Sequence, residues 1–139
     1  MSPIKIIENK LPAEIYRHLR VISGLSVKSV EASEIGLPHS LYTILLQKGE
    51  QAVGMGRLIG DGGCFCQVVD ICVHPDEQGQ GLGKLIMQTL TTYIHKNLPA
   101  TCYISLIADG DASFLYEKFG FRDTLPASKG MYLKVGSST

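Results

Sequence analysis

The chain has 139 residues, 45% hydrophobic and 19% charged, which suits one globular domain built around a single core. Thirteen basic residues balance thirteen acidic ones, so no net field draws the chain to nucleic acid or to an anionic membrane. No stretch approaches the roughly 18 consecutive apolar residues of a membrane span, and the N-terminus lacks the apolar run of a signal peptide.

In chain order, residues 1–8 read as a first strand. Leu11-Pro12 opens a helix whose Ile15, Leu19 and Ile22 recur at helical spacing and which Gly24 ends. Residues 25–37 fit a short second helix or a loop, closing near Gly36 and Pro38. Residues 40–47 and 51–59 read as two strands joined by Lys48-Gly49-Glu50, and Asp61-Gly62-Gly63 turns into a long strand over 64–73. From Gly81 onward Leu82, Leu85, Ile86, Leu90, Tyr93 and Ile94 describe one helical face, stopped by Asn97-Leu98-Pro99. The near-continuous apolar run 101–108 predicts a strand buried on both faces. Asp109-Gly110-Asp111 breaks the chain before a short helix over 112–119, ended by Gly120. Residues 131–135 predict a last strand, and the polar tail 136–139 is expected to fray. This order implies an α/β (α+β) fold with a single mixed sheet of about six to seven strands and helices on both faces.

Four cysteines (Cys64, Cys66, Cys72, Cys102) fall in strand-like apolar surroundings. Cys64 and Cys66 form C-x-C, and no histidine pair lies nearby at zinc-ligand spacing. They read as buried free thiols of a reducing, cytoplasmic compartment, and no metal site is expected.

The richest stretch is Gln78-Gly79-Gln80-Gly81-Leu82-Gly83, with Lys84 behind it, set between an apolar strand and a helix. Alternating glycines leave the backbone open to close approach, and the first amides of the helix have no intrahelical partner. With the helix dipole added, the loop is a receptor for a negatively charged group such as a phosphate. A P-loop is excluded because Leu85 stands where the hydroxyl should follow Gly83-Lys84, and Gln78 where the first glycine belongs. A dinucleotide fingerprint needs G-x-G-x-x-G, and the spacing here is G-x-G-x-G.

The pattern that fits is Q/R-x-x-G-x-G/A, realised as Gln78, Gly81 and Gly83. With it the chain resembles the GNAT superfamily of acyl-CoA-dependent N-acetyltransferases. Some thirty residues on, Phe114-Leu115-Tyr116-Glu117-Lys118-Phe119-Gly120-Phe121 is similar to that superfamily's second signature. The resemblance is strong from about Val53 to Leu133, weak before Ser40, and implies one GNAT domain over 1–139. It also implies acetyl-CoA as co-substrate, with its pyrophosphate on residues 78–84. The backbone amides of Ile71, Cys72 and Val73 would bond the thioester carbonyl and the pantetheine arm. Tyr116 would protonate the departing thiolate, and Asp109 occupies a position where many members carry a cofactor-touching asparagine. At Val53-Gly54-Met55, at 79–84, at Ala108-Asp109 and at Lys129-Gly130-Met131 the chain resembles plastid-type arylalkylamine N-acetyltransferases.

An attacking ammonium must first lose a proton, and Asp70 is the leading candidate base. It lies in an apolar strand, where alternation places it on one face with Cys66, Val68 and Cys72. His74 and Glu34 are weaker candidates, and Glu31, Glu34 and Asp70 could attract a cationic amine. The leading expectation is acetyl transfer to the primary amine of a small molecule (amine, amino acid or arylalkylamine), by direct attack in a ternary complex. Competing expectations are a protein lysine or N-terminal acetyltransferase, a glucosamine-6-phosphate acetyltransferase and a non-catalytic acyl-CoA-binding module. Neither nucleic acid nor membrane is expected as a partner, and a homodimer is compatible with the pattern.

Overall fold

The computed structural model describes residues 3–136. Residues 1–2 of the expected first strand and 137–139 of the polar tail lie outside them. The chain divides into two compact units, residues 1–106 and 107–139, and each is described by itself.

The first unit is a five-stranded sheet in the order β1-β2-β3-β4-β5. β1 (Ile4–Glu8), β2 (Tyr42–Lys48), β3 (Gln51–Gly60) and β4 (Phe65–Val73) form an antiparallel meander, and β5 (Tyr103–Leu106) adds parallel to β4. Helices α1 (Ala13–Ile22) and α2 (Val30–Gly36) precede β2, and α3 (Leu82–Asn97) is the crossover between β4 and β5. A parallel pair requires such a crossover. Gly24, at φ +87°, ends α1 in a Schellman arrangement: its N–H bonds the Val21 carbonyl while that of Leu25 bonds Arg20.

Alternation along β3 assigns the two layers. Met55 joins Tyr16, Leu19, Leu45 and Cys72 in a buried cluster that packs α1 on the sheet. The neighbouring Gly54 and Gly56 face the other way, toward α3. A Cβ on Gly56 would stand 2.7 Å from Ile86 Cγ2 and 3.0 Å from Leu90 Cδ1, so the missing side chain is what seats α3 on the strand. Ile44, Leu46, Leu58, Ile86, Met87 and Leu90 are fully buried, each worth about 1.5–3 kcal/mol relative to exposure.

The second unit holds a 3-10 turn (Gly110–Ala112) and the five-residue helix α4 (Ser113–Glu117). Residues 121–136 carry no further helix or strand.

Three expectations are corrected. The sheet has five strands, not six or seven, and 131–135 is not a strand among the described residues. Met131, Tyr132, Leu133 and Val135 are 83–96% exposed; β propensity without a paired neighbour leaves the ladder unmade. The run 101–108 yields only Tyr103–Leu106, an edge strand bonded on one side, with Tyr103 and Ile107 more than half exposed. Of the cysteines, Cys66 and Cys72 are buried, Cys102 is intermediate and Cys64 is exposed in the turn before β4. All four are free thiols.

Candidate active site

β4 ends at Val73, and His74 leads into a 3-10 turn, Pro75–Glu77. The His74 Nδ1 accepts the Asp76 N–H at 3.1 Å, so this ring serves as the cap of the turn. Glu77 is buried and bound to Lys48 Nζ at 2.7 Å, which pins the turn to the end of β2. Gln78 folds back, its Nε2 donating to the Val73 carbonyl at 3.2 Å. Strand end and glycine loop are thereby held as one piece.

Gly79 and Gly81 take φ +80° and +82°, the left-handed region that non-glycine residues rarely occupy. Around both positions the space within 4 Å of an added Cβ is empty, so backbone conformation, not crowding by the protein, demands glycine. Gly81 is the N-cap of α3 and supplies no side-chain cap; the first intrahelical bond runs from Leu85 N–H to Gly81 C=O at 3.0 Å. The preceding amides, of Leu82, Gly83 and Lys84, are the orphan donors of this helix, and no carboxylate occupies its first turn. Gln80 and Lys84 stand on the two sides of the cap. This geometry suits a phosphate on both hydrogen-bonding and electrostatic grounds.

Beside the loop, β4 offers a free edge. It pairs with β5 only over Phe65–Val68, so Val69, Asp70, Ile71, Cys72 and Val73 have no strand partner on that side among the described residues. An extended amide-bearing ligand can complete such an edge as another strand would.

On its other edge β4 is irregular. Arg57 pairs with Val69 and Met55 with Cys72, so one residue of β3, Gly56, opposes two of β4, Asp70 and Ile71. That extra residue makes a β-bulge, with Asp70 in it at φ +61°. The bulge changes which residues share a face. Val68 pairs with Leu58 on the α3 side, whereas Cys72 pairs with Met55 on the α1 side. Asp70 therefore keeps company with Cys72 and not with Cys66 and Val68, correcting the alternation read from sequence.

The Asp70 side chain is 5% exposed and fully engaged. Oδ1 accepts from Arg20 Nη1 and, at 3.0 Å, from Tyr16 O–H; Oδ2 accepts from Arg57 Nη1 at 3.2 Å. Burial, then the Asp70 charge, pushes the Tyr16 phenol up to about 12, so it stays a donor. Sequence reasoning missed Tyr16, Arg20 and Arg57. The available signals were an arginine four residues beyond Tyr16 on the apolar face of α1 and another inside a buried strand.

Cys72 is buried, its thiol 3.8 Å from the Leu19 carbonyl, and burial is the chief cause lifting its pKa to about 11. It lacks the thiolate character of a nucleophile. Glu34 lines a groove of about 490 Å³ with Asn9, Lys10, Pro38 and Thr43, and Glu31 is exposed in the first turn of α2.

The first unit thus gathers Asp70, the Ile71–Cys72–Val73 backbone and the glycine loop. Asp109 and Tyr116 belong to the second unit. There Asp109 is exposed, at the start of the 3-10 turn, and Tyr116 is half-buried on α4. Burial first, and the Asp109 carboxylate second, raise the Tyr116 phenol above its ordinary value. Among the described residues no group of three His, Cys, Asp or Glu is placed to hold a metal, and no helix is long and apolar enough to cross a membrane.

A mixed sheet whose β4 edge opens beside an uncapped helix start sets free backbone donors next to an extended edge. Residues 24–133 match the family described as "Acetyltransferase (GNAT) domain". The chain belongs to this acetyltransferase family. It is 36% identical over 113 residues to an uncharacterised N-acetyltransferase of Porphyra purpurea, covering 78% of this chain and 64% of that one. A histone acetyltransferase of Glycine max is 31% identical over 100 residues, 67% of this chain and 42% of its own length. The chain therefore spans less than two thirds of these curated relatives. A solved structure of a protein of unknown function from Staphylococcus aureus, termed a probable acetyltransferase, superposes with TM-score 0.90 at 45% identity, covering 95% of this chain and 99% of that one.

Proposed function

We propose that this protein is an N-acetyltransferase that moves the acetyl group of acetyl-CoA to the primary amine of a small molecule within a ternary complex. The observation that carries this reading is the loop at Gly79 and Gly81, which presents the bare amides of α3 beside the unpaired edge of β4.

The residues fit the co-substrate. The glycine turn leaves open space where side chains would stand, and its amides match a pyrophosphate in charge and in hydrogen bonding. Bound there, acetyl-CoA supplies the activated acyl group as a thioester. The acceptor, its ammonium proton lost to solvent, attacks the acyl carbon as a neutral amine; collapse of the resulting oxyanion breaks the carbon–sulfur bond, and the new amide nitrogen gives up its surplus proton to solvent. Within the Ile71–Cys72–Val73 segment, the amides that face the free edge would stabilise that oxyanion, and the bond from Gln78 to the Val73 carbonyl holds the end of the strand. Tyr116 gives the departing sulfur its proton; a phenol raised by burial remains protonated at neutral pH. Asp109 sits at the entry to its helix as a cofactor contact. The high Cys72 pKa supports direct attack over an acyl-cysteine intermediate.

Within the small-amine class we favour arylalkylamine-like acceptors, on the sequence likeness at 79–84 and Ala108-Asp109. Acceptance of a protein amine is the second reading, favoured by the name of the Glycine max relative. Four free thiols fit a reducing compartment, the cytosol in the first instance.

The test is free-thiol release from acetyl-CoA in the presence of amines, amino acids, arylalkylamines, aminosugars and lysine peptides. Release confined to one small-amine class is expected. Release with peptides alone moves the assignment to protein acetylation. No release, with CoA still raising Tm, indicates a binding module; no effect of CoA at all overturns the reading.

A further inference from the structure

Tyr16, Arg20, Arg57 and Asp70 form one buried ionic cluster whose reach extends well beyond the carboxylate. Arg20 sits on α1 and is 7% exposed. Its Nη1 holds Asp70, while Nε donates to the Ser26 carbonyl at 2.9 Å and Nη2 to Ser26 Oγ at 3.0 Å. Arg57 repeats the scheme from β3: Nη1 holds Asp70, Nε donates to Ser40 Oγ at 2.6 Å and Nη2 to the Gly36 carbonyl at 3.0 Å. One carboxylate thus orients two guanidinium forks. Each fork fastens a connecting segment, residues 24–29 between the two helices on one side and 36–40 from the end of α2 on the other.

Stability does not account for such a cluster. Taking three ionic groups out of water costs about as much as, or more than, their attraction returns. Arginine suits this task better than lysine, since its planar fork holds donors in fixed directions toward separated partners, where an ammonium offers a single point charge. The carboxylate is poorly placed to act as a base, because accepting a proton would require it to surrender a guanidinium. Meanwhile its own backbone is the bulge that immediately precedes Ile71, Cys72 and Val73. Two further ties stitch the end of α1 to the same strand, Ser23 Oγ to the Val73 carbonyl at 3.4 Å and the Cys72 thiol to the Leu19 carbonyl.

We propose that Asp70 is a positioning residue: through Arg20 and Arg57 it locks residues 24–29 and 36–40 against the bulge of β4, fixing the wall against which the acceptor amine docks. The acceptor part of this inference rests on the transferase reading above; the clamp itself does not.

The experiment combines hydrogen exchange with kinetics on Arg20→Lys, Arg57→Lys and Asp70→Asn. Arg20→Lys should speed exchange at 24–29 about ten-fold and leave 36–40 unchanged. Arg57→Lys should do the reverse, and Asp70→Asn should release both. With whichever panel amine turns over, each variant should raise the acceptor KM about five-fold or more, with kcat within about two-fold of wild type. The acetyl-CoA affinity and the acidic limb of the pH–rate profile should persist. Unchanged exchange in both segments overturns the clamp. Loss of kcat by about 10² or more in Asp70→Asn, with the acidic limb gone and KM intact, overturns it in favour of the base. If Asp70→Asn fails to fold, the two lysine variants still decide, because their effects are expected in different segments. Wild-type protein that neither releases thiol nor binds CoA refutes the transferase reading, while the exchange pattern continues to report on the clamp.

Discussion

In the proposed reading Tyr116 is a candidate acid and Cys72 a candidate nucleophile, and burial bears on the two differently. Burial keeps the Tyr116 phenol protonated, so in the proposed reading it still has a proton to give even as it becomes a weaker acid, whereas the same effect disables a thiol meant to attack. Tyr116→Phe is therefore expected to lower kcat by about 10² while leaving acetyl-CoA affinity nearly unchanged, as steady-state kinetics beside a CoA titration would show. At pH 8 iodoacetamide should label exposed Cys64 well before Cys72, with thiol-release activity surviving the first label; peptide mass mapping reads the order. Tyr16 adds a pH signature. Its folded-state pKa of about 12 lies above the ordinary phenol value of 10.0, so the folded chain holds that proton more tightly than the unfolded one. The resulting stability is complete below pH 10.0 and is lost as pH rises toward about 12. Urea midpoints across that window should fall, and less steeply in Tyr16→Phe.

At the scale of elements, the seat of α3 and the turn that starts it depend on glycine for opposite reasons. Gly56 is a packing glycine: a methyl there would press on Ile86 and Leu90, so Gly56→Ala should cost about 1–3 kcal/mol in urea unfolding. Gly81 is a conformational glycine in open space, where a β-branched residue meets backbone strain but no neighbour. Gly81→Val should abolish CoA binding by calorimetry while the near-ultraviolet spectrum of the core is retained. Tight CoA binding by this variant would show that the loop has another use.

Across the whole molecule, order is unevenly distributed. Residues 4–106 are built from ladders and two packed layers, whereas 121–136 has neither and exposes Arg122, Lys129 and Lys134. Brief trypsin treatment should cut at those three positions first, with the peptide bonds of β2 and β3 cut last, as intact-mass analysis would report. A first cut inside the sheet would contradict this distribution.

The sequence by itself determined the meander, the crossover helix and the glycine loop, because each is written locally. Period-two and helical patterns, Gly24 as a helix stop and Gly81 at a helix start act through backbone preferences spanning a few residues. It also marked Asp70 as a charge that needed a reason. What that reason was, only the tertiary structure decided. One inserted residue in β4 turns Asp70 toward α1, and the partners it meets there, Arg20 and Arg57, lie 50 and 13 residues away in the chain. The length of the sheet was likewise undetermined locally: 101–108 and 131–135 both have strand-forming composition, yet a strand exists only where a neighbour's hydrogen bonds meet it. Propensity is a property of the segment, whereas register, facing and ion pairing are properties of the assembled layers.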